Sequence, residues 1–478
     1  MPLPFPISLA LAAPSIAACI GWVALALHVA GILLALHSLL RTRSPQGTMA
    51  WILGLVTFPY IAIPLYLALG VARIRRHTEQ EMADCGAERL QPMLAPHRVE
   101  GGIISRTLER CSGYPLCSGN SISLLRDGED TYPVLEQAVR EARSFIMVEF
   151  FIIRNDRVGS ALRKLLEARA RDGLAVYVIY DELGSHKLPN GYLRRLRRAG
   201  VKVASFNGRR FWWSSFLRIN YRNHRKLVVI DGELAYLGSL NVGQEYSRRN
   251  SWRDTFLSLR GPAVVETMQS FLRDWYRATG ENISPGLPVH AEPAGTECCQ
   301  LIPSGPDDGG TSYWHLAVQE LAAHARKRLW LATPYFTPTE AVYAALQGAA
   351  LRGVDVRILV PQKSDNRMAN LALLTYQRGL ISRGVKMLGY TPGVLHEKVA
   401  VMDDMTSTVG SANLDERSLR LNFELTLFME GREMNERVAA MLEEDMRHST
   451  PLAADAWERA GWPVRLGARI CRLLSPVL

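Results

Sequence analysis

The sequence predicts an α/β protein made of two duplicated domains that form one shared active site, preceded by a two-helix transmembrane hairpin. Three observations carry this. The pattern His224-x-Lys226-x4-Asp231-x6-Gly238-Ser239-x-Asn241 returns, every spacing unchanged, as His396-x-Lys398-x4-Asp403-x6-Gly410-Ser411-x-Asn413. Around both copies, strand-like and helix-like segments follow in the same order, as an internal repeat requires. Ahead of them, residues 16–40 and 49–70 contain no Asp, Glu, Lys or Arg.

The two uncharged stretches are each long enough to span a bilayer core as a helix. Trp51, Tyr60 and Tyr66 are candidates for the interfacial aromatic positions of the second, and Pro59 and Pro64 are expected to bend it. A buried core hairpin is disfavoured, because so long a stretch without charge is rare in a soluble helix. A cleaved signal peptide is disfavoured too, since no Lys or Arg precedes the first stretch and a second follows at once. Two spans place both flanks on one side. Arg73, Arg75 and Arg76 follow the second span, against Arg41 and Arg43 in the short loop, so the positive-inside bias puts the large C-terminal part in the cytoplasm.

From about Asn120 the pattern becomes α/β. Residues 145–153 form an apolar strand, 158–171 a helix, 175–180 a second strand and 190–199 a basic helix, followed by Gly200-Val-Lys-Val203. The order returns as a strand at 328–333, a helix near 340–352, a strand at 355–360, a helix near 371–383 and Gly384-Val-Lys386. The first copy carries extra residues within Phe206–Asn223, rich in aromatics and arginines, which suit lipid headgroups at the mouth of a site or an ordinary packed loop. A Pro/Gly-rich connector runs from Ile283 to Gly295. The expected boundaries are a hairpin at 1–77, a connector at 78–119, domains at 120–282 and 299–448 with a linker at 283–298, and a tail at 449–478. That tail, with Trp457, Trp462, Arg459, Arg465, Arg469, Arg472 and Leu473-Leu474, reads either as an amphipathic surface helix or as a helix packed on the domains.

The repeated motif suits phosphate chemistry. Residues two apart in a strand share a face, so His224 and Lys226 project together, as do His396 and Lys398. Gly238-Ser239 and Gly410-Ser411 are expected to let phosphate approach closely, with Ser239, Ser411, Asn241 and Asn413 donating to it. Asp231 and Asp403 belong to the motif, yet Asp231-Gly232 is a tight-turn signal and both are better read as turn-formers than as catalytic groups. Each copy supplies one histidine. Only together do they provide both a nucleophile and an acid.

Composition narrows the partners. Across 478 residues the formal net charge is +10, which favours an anionic surface, and the membrane segments favour lipid over nucleic acid. Seven scattered cysteines without paired spacing indicate neither a zinc site nor a disulfide framework, and they mildly favour a reducing compartment, although Cys111 and Cys117 would pair in an oxidising one. No metal-ligand cluster is apparent and no cofactor is expected.

The twin motifs resemble the phospholipase D superfamily, over about Asn120 to Phe428. Within it the chain is similar to bacterial cardiolipin synthases, through Ser44-Pro45, Ala50-Trp51 and Leu65-Tyr66 in the hairpin, Thr333-Pro334-Tyr335-Phe336, and the ending Leu473-Leu474-Ser475-Pro476. The resemblance implies that both histidines meet on one phosphodiester, with His224 as nucleophile and His396 as general acid and base. It also implies that Lys226, Lys398, Asn241 and Asn413 hold the phosphate oxygens. Asp254 and Glu424 are candidates for orienting the imidazoles, Asp254 for His224 and Glu424 for His396. The expected reaction moves a phosphatidyl group between two phosphatidylglycerols at a bacterial inner membrane, with phosphatidylethanolamine as an alternative donor. A hydrolase or transphosphatidylase of the same superfamily, a membrane-tethered nuclease and an inactive membrane scaffold are the competing classes.

Overall fold

The computed structural model describes residues 16–41, 45–70, 83–206, 221–247, 252–308 and 312–475. Two units divide the chain, one holding the N-terminal helices and the other everything from Ile74 apart from residues 210–220.

In the N-terminal unit a single helix runs Ile16–Arg41, and its stretch Cys19–Leu40 has the length and apolarity to cross a membrane. The second apolar segment starts earlier than expected and is broken. It forms a helix at Pro45–Thr57, a turn at Phe58, a helix at Pro59–Leu65 and a π-helical turn at Tyr66–Gly70. Pro59 explains the break, because proline lacks the N–H a continuing helix needs and pushes the preceding residue out of the helical region. Phe58 accordingly sits at φ −131°, ψ 60°. Gly31 lets the pieces come together, since a Cβ there would fall 2.3 Å from the carbonyl oxygen of Leu55. Tyr66, expected at an interface, is instead buried, with its hydroxyl 2.9 Å from His37 Nδ1 and its ring against Trp51. The arginines at 43, 73, 75 and 76 lie outside the described residues, as does most of the aromatic insert.

The second unit is organised by one sheet of sixteen strands. The first half of the unit, counting short strands outside that sheet, comprises β1 (Cys117–Arg126), β2 (Phe145–Phe150), β3 (Ala175–Asp181), β4 (Lys202–Phe206), β5 (Arg222–Asn223), β6 (Lys226–Ile230), β7 (Leu234–Gly238), β8 (Trp252–Arg253) and β9 (Thr255–Arg260). The second half comprises β10 (Glu297–Ser304), β11 (Arg328–Ala332), β12 (Phe336–Thr337), β13 (Asp355–Pro361), β14 (Lys386–Tyr390), β15 (Val394–Leu395), β16 (Val399–Met402), β17 (Thr406–Gly410), β18 (Leu414–Asp415), β19 (Asn422–Glu430) and β20 (Ser449–Pro451). Strand β20 pairs with β14, so residues 449–451 extend the second domain rather than open the tail.

The strand order shows the duplication directly. From the centre outwards one half reads β1-β9-β7-β6-β2-β3-β4 and the other β10-β19-β17-β16-β11-β13-β14. Strands β1 and β10 pair antiparallel at the junction, joining the halves into a continuous sheet. In each half, β2, β3 and β4, or β11, β13 and β14, run parallel and are connected by helices, which explains their near-continuous apolar runs. Separate apolar cores fill the two halves, one around Val148, Val178 and Val228, the other around Leu331, Ile358 and Ala400.

Asp231 and Asp403 take corresponding positions. Both have positive φ, 55° and 50°, at the turn after β6 or β16. The Asp231 carboxylate accepts the backbone N–H groups of Arg143, Ser144 and Phe145, and Asp403 accepts those of Arg326, Lys327 and Arg328. Each aspartate therefore fastens the entry of the neighbouring parallel strand. Seven residues of extended chain separate Asp231 from His224, roughly 20 Å, which takes it away from the chemistry.

Candidate active site

The two histidines reach one place by a reciprocal exchange of short strands. β5, just before His224, pairs parallel with the start of β19 in the other half, Arg222 opposite Asn422 and Asn223 opposite Phe423. β15, just before His396, pairs parallel with β8, Val394 opposite Trp252 and Leu395 opposite Arg253. The backbone N–H of His224 donates to Phe423 O at 2.8 Å, and that of His396 to Arg253 O at 2.7 Å. Each imidazole is thus delivered next to the residue following its new neighbour, Glu424 or Asp254.

The pairing is therefore crossed. Nδ1 of His224 lies 2.9 Å from Glu424 Oε2, and Nδ1 of His396 lies 2.7 Å from Asp254 Oδ2. Sequence proximity pointed to the opposite assignment, Asp254 with His224 and Glu424 with His396. It failed because the strand exchange carries each histidine past its own domain's carboxylate. With Nδ1–H given to a carboxylate, each ring keeps its Nε2 lone pair free, the tautomer a nucleophile or base needs.

The serines and glycines serve these carboxylates. Ser239 Oγ donates to Asp254, and Ser411 Oγ donates to Glu424 Oε2 at 2.6 Å. Ser418 and Asn422 add donors to Glu424 Oε1 at 2.7 and 3.2 Å. A Cβ on Gly238 would fall 2.7 Å from Thr255 O, and one on Gly410 would fall 2.5 Å from Leu425 O. The small residues admit the adjacent strand that bears the carboxylate, not phosphate as the motif suggested. Asn241 is likewise engaged, accepting from Ile152 N–H and donating to the Tyr246 hydroxyl. Asn413 donates to Asp415, and its buried amide oxygen has no partner among the described residues.

Lys226 and Lys398 are buried, and each Nζ donates to the carbonyl of its own motif histidine. Aromatic rings complete the enclosure, none of them singled out from sequence. Phe151 meets His224 edge-on at 4.9 Å, while Trp252 and Tyr246 lie 4.9 and 5.8 Å from His396. Trp252 also lines a cleft of about 670 Å³ with Arg154, Lys187 and Glu245. Trp252 stands two residues before Asp254, which the sequence did offer as a candidate.

Electrostatics separate the two halves. Burial, reinforced by Lys226, Lys398 and His396, holds the His224 imidazole well below its ordinary value and so neutral. His396 is also lowered by burial and Lys398, but Asp254 opposes the shift. Burial pushes the Asp254 carboxyl up, yet His396 and Lys398 outweigh it and hold it below its usual range. Glu424 goes the other way: burial pushes it up to about 7 against the pull of Lys226 and its hydroxyl donors. Lys398 is brought down to about 8, chiefly by burial. Among the described residues no group of three or more His, Cys, Asp or Glu is placed to hold a metal ion, and no two cysteines form a disulfide.

These values predict a pH profile. Below about pH 7 a protonated Glu424 donates to His224 Nδ1 and forces the ring proton onto Nε2, removing the attacking lone pair. Turnover should rise through pH 7 and fall above about pH 8 as Lys398 loses its charge. Glu424→Gln should lower kcat by about 100-fold or more and abolish the limb near pH 7. A variant keeping that limb unchanged would remove Glu424 from this role.

A duplicated sheet with two histidines held crosswise over one enclosed, lysine-lined site defines the two-motif phospholipase D-like class. The family described as "Cardiolipin synthase, PLD-like domain" matches residues 135–275 and 318–446, and "Phospholipase_D-nuclease N-terminal" matches 30–70. The chain belongs to the cardiolipin synthase family. It is 38% identical over 473 residues to cardiolipin synthase A of Pseudomonas putida strain W619, covering 96% of this chain and 98% of that protein. Cardiolipin synthase A of Pseudomonas aeruginosa strain LESB58 is 39% identical, with 96% of each chain covered. The crystal structure of phosphatidylserine synthase from Haemophilus influenzae Rd KW20 shares the fold, with a TM-score of 0.60 at 14% identity, over 79% of this chain and all of that one. Family and apolar helix together mark the chain as a membrane protein acting on phospholipid.

Proposed function

We propose that the protein is a cardiolipin synthase that transfers a phosphatidyl group from one phosphatidylglycerol to the free glycerol hydroxyl of another, releasing glycerol. The crossed histidine–carboxylate pairs are the observation that carries this reading, because each leaves an imidazole Nε2 free for phosphorus chemistry and the two rings face different carboxylates. His224 Nε2 attacks phosphorus, the bond to the leaving glycerol oxygen breaks, and protonated His396 gives that oxygen its proton. The second phosphatidylglycerol then enters. Its hydroxyl passes a proton to His396 and attacks phosphorus, and the bond to His224 breaks.

The electrostatic asymmetry supports this division of roles. An ionised Asp254 beside His396 favours the imidazolium that a general acid requires, whereas Glu424, titrating near 7, places less opposing charge on His224. Lys226 and Lys398 neutralise charge accumulating on the non-bridging oxygens. Residues 16–41 and 45–70 are read as a multi-pass anchor in a bacterial inner membrane, with the catalytic part cytoplasmic as the arginine bias suggests.

The test is to place the purified full chain in vesicles containing phosphatidylglycerol labelled in its terminal glycerol and to separate the lipids and the water-soluble products. Cardiolipin with released glycerol is the expected outcome. Phosphatidic acid as the sole lipid product would replace the synthase with a hydrolase.

A further inference from the structure

The C-terminal helix Trp462–Leu473 has two contrasting faces. Ala468 and Cys471 are buried where it lies along the helix Arg367–Ile381. Arg472 reaches Glu340 at 2.7 Å and covers the Tyr376 ring, which fixes that face to the domain. Away from it, Trp462, Leu466, Ile470 and Leu473 follow one another at three- and four-residue steps and are 75%, 51%, 48% and 80% exposed. Among the described residues of the unit that holds the sheet, twelve large hydrophobic side chains are exposed, and six of them fall within residues 462–474. The others are scattered singly, as on an ordinary surface. A concentrated apolar stripe on a surface helix marks a contact.

We infer that this helix rests on an anionic phospholipid bilayer, with Trp462, Leu466, Ile470 and Leu473 inserted at the boundary between headgroups and acyl chains. Three facts select a bilayer as the occupant. The helix contains no acidic residue and, besides Arg472 on the packed face, carries Arg465 and Arg469, and the chain as a whole is at +10, so its charge complements phosphate headgroups. Its own N-terminal helix is long and apolar enough to cross a membrane, which keeps a bilayer within reach of the folded part. A tryptophan opens the helix, the residue type that sits best at a membrane boundary. The sequence left two readings for this segment, and the structure joins them: one face is packed on the domain while the other faces outwards.

The full-length protein in phosphatidylcholine–phosphatidylglycerol vesicles tests this without reference to catalysis. The emission component lost in Trp462→Phe should be quenched by lipids brominated near the carbonyl end of their chains and spared by aqueous iodide. Quenching by iodide alone overturns the inference. Protection from both quenchers does so as well, since it would mean that a second copy of the chain covers the stripe. Turnover gives an independent arm: Leu466→Asp with Ile470→Asp should slow transfer on vesicles at least about tenfold, while lipid dispersed in detergent micelles is still turned over near the wild-type rate. Unaltered turnover on vesicles overturns it.

Discussion

His224→Ala and His396→Ala should each lower phosphatidyl transfer by roughly 10⁴-fold or more, and the double variant should be little worse than either, because the two imidazoles act as one unit. A leaving group that needs no proton separates their roles. With a phosphatidyl ester of nitrophenol, His396→Ala should still form a covalent adduct on His224, detectable after denaturing quench as a labelled histidine peptide, whereas His224→Ala should form none. Adduct on His396 in the His224 variant would reverse the assignment. The expectation rests on geometry in which each ring is steered at Nδ1 by a carboxylate from the opposite half, leaving only Nε2 for chemistry.

Arg225→Leu should cost about 3–5 kcal/mol, the penalty for stranding a buried partner charge. Arg225 occupies the position between the motif histidine and lysine but points away from the site. Its guanidinium contacts Asp274 within the first half and donates to the carbonyls of Glu424 and Ser304 in the second. Glu149 lies close by, its carboxyl pushed well up by burial and by Asp274. Removing the cation leaves these acids facing each other and releases a tie between the halves. A midpoint lowered by roughly 5–10 °C in a detergent-solubilised thermal melt is the expected reading, and an unchanged midpoint would refute the argument. Arg253, also in the first half, makes a second such tie, against Asp445 and Glu397 of the other.

Much of this was legible in the chain. Apolar runs such as Phe145-Ile-Met-Val and Asp355-Val-Arg-Ile-Leu-Val became parallel strands because strands covered on both faces leave little room for polar residues. The hairpins after His224 and His396 fell where the Asp turns put them. The partner of each carboxylate was not legible. It depends on the two-residue strands β5, β8 and β15, too short to leave a period, and on pairings between residues some 140 to 200 positions apart. The serines were misread for a related reason: a hydroxyl suits phosphate and carboxylate equally, and only the approach of β9 and β19 decides between them. In the N-terminal segment Pro59 was a visible signal for a bend, and the structure breaks the second helix there.

The exchanged strands make each half dependent on the other for the carboxylate that steers its own histidine. A protein consisting of one half would have to find a copy of itself to work, and its two sites would be identical by symmetry. Joining both halves in one chain removes that dependence on concentration, since the partner is always present at a high effective concentration. It also breaks the equivalence. One imidazole is now steered by an aspartate with a single hydroxyl donor, the other by a glutamate ringed by Ser411, Ser418 and Asn422. Duplication in a single chain is thus what allows a nucleophile and an acid to be drawn from the same motif.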